Sequence, residues 1–104
     1  MKQQLGEFVS VSQFDGDHGP VRNQFIIRTS LGEVFQSYNT IIAARVYCTD
    51  KSDTQFGKRQ ILLDCNSWDC SVTTGKYRNK FLGENKTETQ RRIKNKEYIL
   101  CELN

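Results

Sequence analysis

His18 and the four cysteines, Cys48, Cys65, Cys70 and Cys101, are the side chains with the chemistry for metal ligation or nucleophilic attack. A cysteine nucleophile needs a base beside it, and His18 is the only imidazole in the chain. No local motif joins it to any of the four thiols. His18 sits in Asp15-Gly16-Asp17-His18-Gly19-Pro20, a dense turn cluster. A polar loop role accounts for it better than a metal site or an Asp-His dyad. The closest cysteine pair, Cys65 and Cys70, has a four-residue spacer, and the other two stand alone. Zinc sites usually carry a tight two-cysteine knuckle, often twice, so small buried thiols are the expectation. There is no phosphate-binding loop, no dinucleotide-binding glycine pattern and no His-Glu-x-x-His. Ser37 and Ser71 read as turn or capping residues. The expectation is a protein without catalytic residues, metal or cofactor.

A different chemistry is electrostatic. The chain carries 15 Lys and Arg against 12 Asp and Glu, a net charge of +3. Residues 73–104 hold eight of the cations and four of the anions, whereas residues 1–72 come out at −1. Such an uneven field can steer anionic partners. The binding candidates are therefore Lys76, Tyr77, Arg78, Lys80, Arg91, Arg92 and Lys94. At helical spacing Lys76 and Lys80 share a face, as do Arg91 with Lys94 and Arg92 with Lys96. With Tyr77 and Trp68 nearby, this 76–96 segment has the parts to hold a phosphate backbone and stack a base. The plainer alternative is a solvated helix face, partly offset by Glu84 and Glu88. No RNP motif or helix-turn-helix supports the nucleic-acid reading.

These residues must be positioned by a sheet followed by helices. Phe8-Val9-Ser10-Val11-Ser12 alternates as a strand, with Val9 and Val11 on one face. Gln24–Thr29 is rich in strand formers, Ser30-Leu31-Gly32-Glu33 reads as a hairpin loop, and Val34–Tyr38 returns. Asn39–Tyr47 mixes alanines with β-branched residues and is assigned as a strand. A polar turn region, 49–58, leads to Gln60–Cys65, whose apolar run suggests an interior strand. Thr73 or Thr74 then caps a helix. Tyr77 and Phe81 lie one turn apart on its apolar face, and Gly83 ends it. Asn85-Lys86-Thr87-Glu88 has the form of a capping box. The helix that follows, to about Asn95, has only Ile93 as a large apolar residue and should be weakly anchored. Tyr98–Cys101 closes the sheet. The fold expected is α+β: one domain over 1–104, a mostly antiparallel sheet of five to six strands and two short helices near the C-terminus.

At 104 residues the chain is long enough for one modest core. No apolar run reaches 18 residues, so no membrane span is expected. Met1-Lys2-Gln3-Gln4-Leu5-Gly6 lacks the apolar stretch of a signal peptide, which points to a cytosolic protein and argues against disulfides.

The segment Phe35-Gln36-Ser37-Tyr38-Asn39-Thr40-Ile41-Ile42-Ala43, followed by Trp68-Asp69-Cys70-Ser71-Val72-Thr73-Thr74-Gly75-Lys76-Tyr77-Arg78-Asn79-Lys80-Phe81-Leu82-Gly83, resembles a family of small uncharacterised bacteriophage proteins. In that family an F-Q-S-Y-x-T-x-I-A segment precedes a W-D-Y-S-x-T-T-x-K-Y-R-x-x-F-L segment. The likeness spans roughly residues 24–100. It departs at Cys70, which stands where the family pattern has an aromatic. The resemblance implies a phage-encoded protein made in the cytoplasm of a bacterial host, and it transfers no catalytic residue. Size and that origin together point to an accessory protein that binds a host protein or nucleoprotein complex stoichiometrically. Anti-CRISPR and other anti-defence inhibitors are such a class. Tyr38, Tyr47, Tyr77, Arg78 and Trp68 are candidate anchors for a protein partner, but Trp68, Phe81 and Phe35 are better read as core. The alternative is a small nucleic-acid-binding protein using the basic 76–96 face.

Overall fold

The computed structural model describes residues 5–16 and 18–104. Six strands and two helices follow one another: β1 (Phe8–Gly16), β2 (Gly19–Thr29), β3 (Gly32–Ser37), β4 (Thr40–Tyr47), β5 (Arg59–Asp64), α1 (Val72–Leu82), α2 (Lys86–Lys94) and β6 (Ile99–Cys101). They form one sheet in the order β1-β2-β3-β4-β5-β6. The first five strands meander antiparallel. β6 returns parallel to β5, because both helices lie between them and carry the chain back along the sheet. This is the α+β domain expected from the sequence.

Alternation along the inner strands gives the sheet two apolar faces. On one, Ile27, Val34, Ala44, Val46 and Leu62 pack with Leu103, and Leu5, Leu31, Ile41 and Cys101 border them. On the other, Phe35, Ile42, Ala43 and Leu63 meet Phe81 of α1, with Phe14, Ile26, Trp68, Tyr77, Ile93 and Tyr98 around them. The mixed pattern of Ile41-Ile42-Ala43-Ala44 now has a physical reason. The β3–β4 register slips between Phe35 and Gln36, so Ile42 is an extra residue in a bulge. That bulge places Ile42 and Ala43 in the same core cluster. The β3–β4 connection is a turn at Tyr38 and Asn39, with Tyr38 at φ 54°. Both residues were expected inside strands. Gly32 is required for a different reason than turn flexibility. A Cβ there would lie 2.0 Å from the Arg45 carbonyl oxygen of the neighbouring strand.

A second bulge corrects the reading of β1. Phe8 pairs with Thr29 and Ser10 with Arg28, which leaves Val9 as the additional residue. Val9 therefore lines a cavity with Arg28 and Arg45, while Val11 stands opposite Ile27 on the other face. The two valines do not share a side.

The helix starts earlier than the threonines suggested. Ser71 is the cap of α1, and its Oγ accepts from the Thr74 N–H at 3.1 Å. Thr74 is buried, with its hydroxyl 2.9 Å from that of Ser37 on β3. Gly83 ends α1 at φ 73°, in the left-handed region that favours glycine. Asn85 caps α2 through the Glu88 N–H, as expected, but the Glu88 carboxylate turns to Arg91 and Arg92 rather than back to the cap. α2 is held more firmly than its composition implies. The largely buried Glu84 carboxylate accepts from Thr89 Oγ1 at 2.7 Å and from the Tyr98 hydroxyl at 2.6 Å. Burial first, and then Glu84, push the Tyr98 phenol well above its ordinary pKa.

Asp64 ties the C-terminal segment to the sheet. Its Oδ1 accepts from the Leu103 N–H at 2.9 Å, beside the buried Leu103 side chain. Burial alone would raise this carboxyl. Hydrogen bonds from Leu103, Ser67, Asn104 and Asn66 outweigh it and hold the group below the usual carboxylate range. Asp69 is likewise lowered, mainly by its hydrogen bond to Lys86. Both carboxylates thus bind a proton less readily in the folded state than in the unfolded chain. Their contribution is complete above about pH 4, the unfolded carboxylate range, and is lost as pH falls through their folded values. Urea unfolding should show stability level from pH 7 to about pH 5 and falling below about pH 4. Stability that increased on acidification below that point would contradict this.

Candidate functional site

α1 lies against the sheet face formed by Phe35, Ala43 and Leu63. Its Phe81 stacks on Phe35 with ring centroids 5.9 Å apart, and Tyr77 meets Phe14 of β1 at 5.6 Å. Once Tyr77 and Phe81 face inward, Lys76 and Lys80 stand at the exposed flanks of the helix. Their ammonium groups lie 5.4 and 5.8 Å from the Tyr77 ring centroid. The ring is therefore framed by the sheet and two cations, so it is a support for Lys76 and Lys80 rather than an open stacking platform.

Arg78 lies inside the protein, only 1% exposed. Its guanidinium donates to the Trp68 carbonyl at 2.6 Å and to Asn79 Oδ1 at 3.0 Å, and reaches Asp69 Oδ1 at 3.4 Å. It also lies 5.3 Å from the Trp68 ring centroid. Arg78 is thus a brace between the 64–71 turn and α1, and Trp68 is partly buried beside it. Arg78 has almost no exposed surface of its own with which to stack on a base or anchor a protein partner.

The α2 cations are largely matched. Arg91 pairs with Glu88 and with Glu97, and Arg92 reaches Glu84, Glu88 and Glu97 at 3.0–3.3 Å. Lys94 and Lys96 are exposed at the end of the helix. Of the seven expected binding residues, the structure brings Lys76, Tyr77 and Lys80 together. It buries Arg78 beneath them, and it draws Arg91 and Arg92 into a carboxylate network. A continuous basic stripe over 76–96 does not form.

Two surface features among the described residues bear most on binding. One is a cleft of about 610 Å³ at the head of α1, lined by Asp69, Cys70, Ser71, Gly75, Lys76 and Lys86 with Arg78 beneath. The other is β1, which bonds to β2 along one side and forms one outer edge of the sheet, the short β6 forming the other. Phe8, Val9 and Val11 on it are 63%, 72% and 59% exposed, and the strand carries no charge before Asp15. The uncharged, β-forming run Phe8–Phe14 was the signal for this edge in the sequence, but strand order was needed to know it lay outermost.

His18 is exposed in the β1–β2 turn, near Lys76, Tyr77 and Lys80 across a cavity of about 270 Å³. Asp17, which would complete the Asp-His cluster considered from the sequence, lies outside the described residues. The thiols depart from expectation: Cys48 is buried and Cys101 half-buried, but Cys65 and Cys70 are exposed. Burial, then Cys65 and Asp64, raise the Cys101 thiol above its ordinary range.

Residues 15–98 match the profile of a family of unknown function, DUF8033. The chain belongs to that family. The match runs from the end of β1 to the residue before β6, so it contains both helices, the Arg78 brace and the cleft. No curated protein and no solved structure matches the chain. No helix among the described residues is long and apolar enough to cross a membrane.

Proposed function

We propose that this domain acts by stoichiometric binding to a protein, as a phage-encoded accessory factor directed at host or defence machinery in the bacterial cytoplasm. Inhibitors of the anti-CRISPR kind are one form such a factor takes. The observation that carries the binding reading is the β1 edge. A long outermost strand presents unpaired backbone N–H and C=O groups, and sheet edges normally blunt this with charge, proline or cover. Here Phe8, Val9 and Val11 are exposed on it without a single charge before Asp15. A partner strand laid along this edge would complete the backbone ladder, and pockets for Phe8 and Val11 would supply specificity. The bacteriophage origin rests on the sequence resemblance alone.

The nucleic-acid reading draws on Lys76 and Lys80, but loses Arg78 to the interior and Arg91 and Arg92 to glutamates. Purifying a tagged copy from a bacterial host at about 0.3 M salt separates the two, since phosphate contacts weaken steeply with salt whereas an apolar strand interface persists. The expected result is one protein recovered in one-to-one ratio with the domain. Nucleic acid that washes away as salt rises would transfer the function to Lys76 and Lys80. Light scattering on the purified domain distinguishes a foreign partner from a second copy paired through β1.

A further inference from the structure

Charge is unbalanced in the cleft at the head of α1. Lys76, Lys86 and Arg78 line it, against the single carboxylate of Asp69. That carboxylate is already divided, with Oδ2 2.7 Å from Lys86 Nζ and Oδ1 3.4 Å from Arg78 Nη1. Arg78 is 1% exposed, and its buried Nε–H has no acceptor. A buried guanidinium balanced by half a carboxylate is costly to keep, and an anion in the cleft that Arg78 lines would offset its charge. α1 adds to the same field. The first turn holds no acidic residue, and the N–H groups of Val72 and Thr73 have no intrahelical acceptor. Gly75 faces the cleft directly above the guanidinium. A Cβ there would stand in ordinary contact with the guanidinium, 3.5 Å from Arg78 Nη2.

We infer that this cleft binds a phosphate group, held by the first-turn amides of α1 and the ammonium groups of Lys76 and Lys86. Arg78 lies beneath as a fixed positive charge. Helix N-termini with adjacent cations suit phosphate, whose charge meets the dipole and whose oxygens accept from the amides. A cleft of about 610 Å³ has room for a nucleotide as well as the free anion. The site shares no residue with the β1 edge, so it stands or falls independently of the protein-binding proposal.

The test is a ¹⁵N–¹H titration of the whole chain with sodium phosphate, against sodium chloride at matched ionic strength, followed by adenosine monophosphate. Saturable shifts are expected at the amides of Val72, Thr73 and Thr74. Lys76→Gln and Lys86→Gln should each weaken binding about tenfold, the effect of losing one charge-assisted contact. Both lysines are exposed, so changes in the spectrum of the unliganded variants should stay local, around position 76 in one and around Asp69 and position 86, whose ion pair is lost, in the other. Equal affinity for phosphate and the nucleotide identifies the free anion as ligand, and tenfold tighter binding of the nucleotide identifies a nucleotide. Shifts that fail to saturate, that chloride reproduces, or that survive in both variants would overturn the inference.

Discussion

Arg78→Ala should unfold most of the domain's margin of stability, lowering it by about 3–5 kcal/mol. The side chain is the largest fully buried one among the described residues, and it bridges three groups around the head of α1. Removing it strands the Trp68 carbonyl and the Asn79 amide oxygen and opens a void beside the Trp68 ring. It also leaves Asp69 to Lys86 alone. Domains of this size hold roughly 5–15 kcal/mol in all, so the variant should melt far lower or fail to fold at 37 °C. Arg78→Met tells the causes apart. Methionine restores much of the volume but none of the donors, and should recover less than half of the loss. Near-complete recovery in the methionine variant would show that Arg78 matters for packing and not as a hydrogen-bonding brace.

Phe35→Ala should cost about 3–5 kcal/mol, the range for emptying an aromatic from a packed interior. Phe35 is fully buried at the centre of the face that receives α1. It stacks on Phe81 and meets the edge of Phe14 at 5.7 Å, so its ring links β1, β3 and α1. The loss should also loosen α1, because Phe81 would face a cavity. Hydrogen exchange should report this as faster exchange for α1 amides than for those of β4 and β5. A loss below about 1 kcal/mol would mean that neighbouring side chains collapse into the space, and that this face is not the anchor of the helix.

The sheet was legible because its signals are local. Alternation in β2 and β3 and the apolar run in β5 each announce a strand, and Gly83 and Asn85 mark helix ends through their own backbone chemistry. Parts that depend on a neighbour were not legible. Ile41–Ala44 reads as strand and is strand, but the bulge at Ile42 was not visible because it depends on the register with β3. The position of Val9 was misjudged for the same reason, since one extra residue turns every side chain after it. Arg78 read as a surface cation because of its residue type, although at two residues from both Lys76 and Lys80 it lies on the far side of the helix from them. Only the docking of Tyr77 and Phe81 rotates it inward, onto a backbone carbonyl ten residues earlier in the chain. Arg91 and Arg92 looked like a basic face because Glu84 and Glu88 count as only a partial offset and Glu97, beyond the helix, does not enter that count at all. The cleft combines a cap, a glycine and three cations from two helices, a set that no single periodicity selects.

The binding account is tested most directly by the affinity of a Phe8→Lys, Val11→Lys double variant for the protein recovered with the native domain. Both side chains are exposed and on the same side of β1, so the melting temperature should hold. Two lysines on an edge strand oppose pairing with an added strand, and affinity should fall by about a hundredfold or more. Full affinity in a folded double variant would contradict the account and remove β1 as the interface.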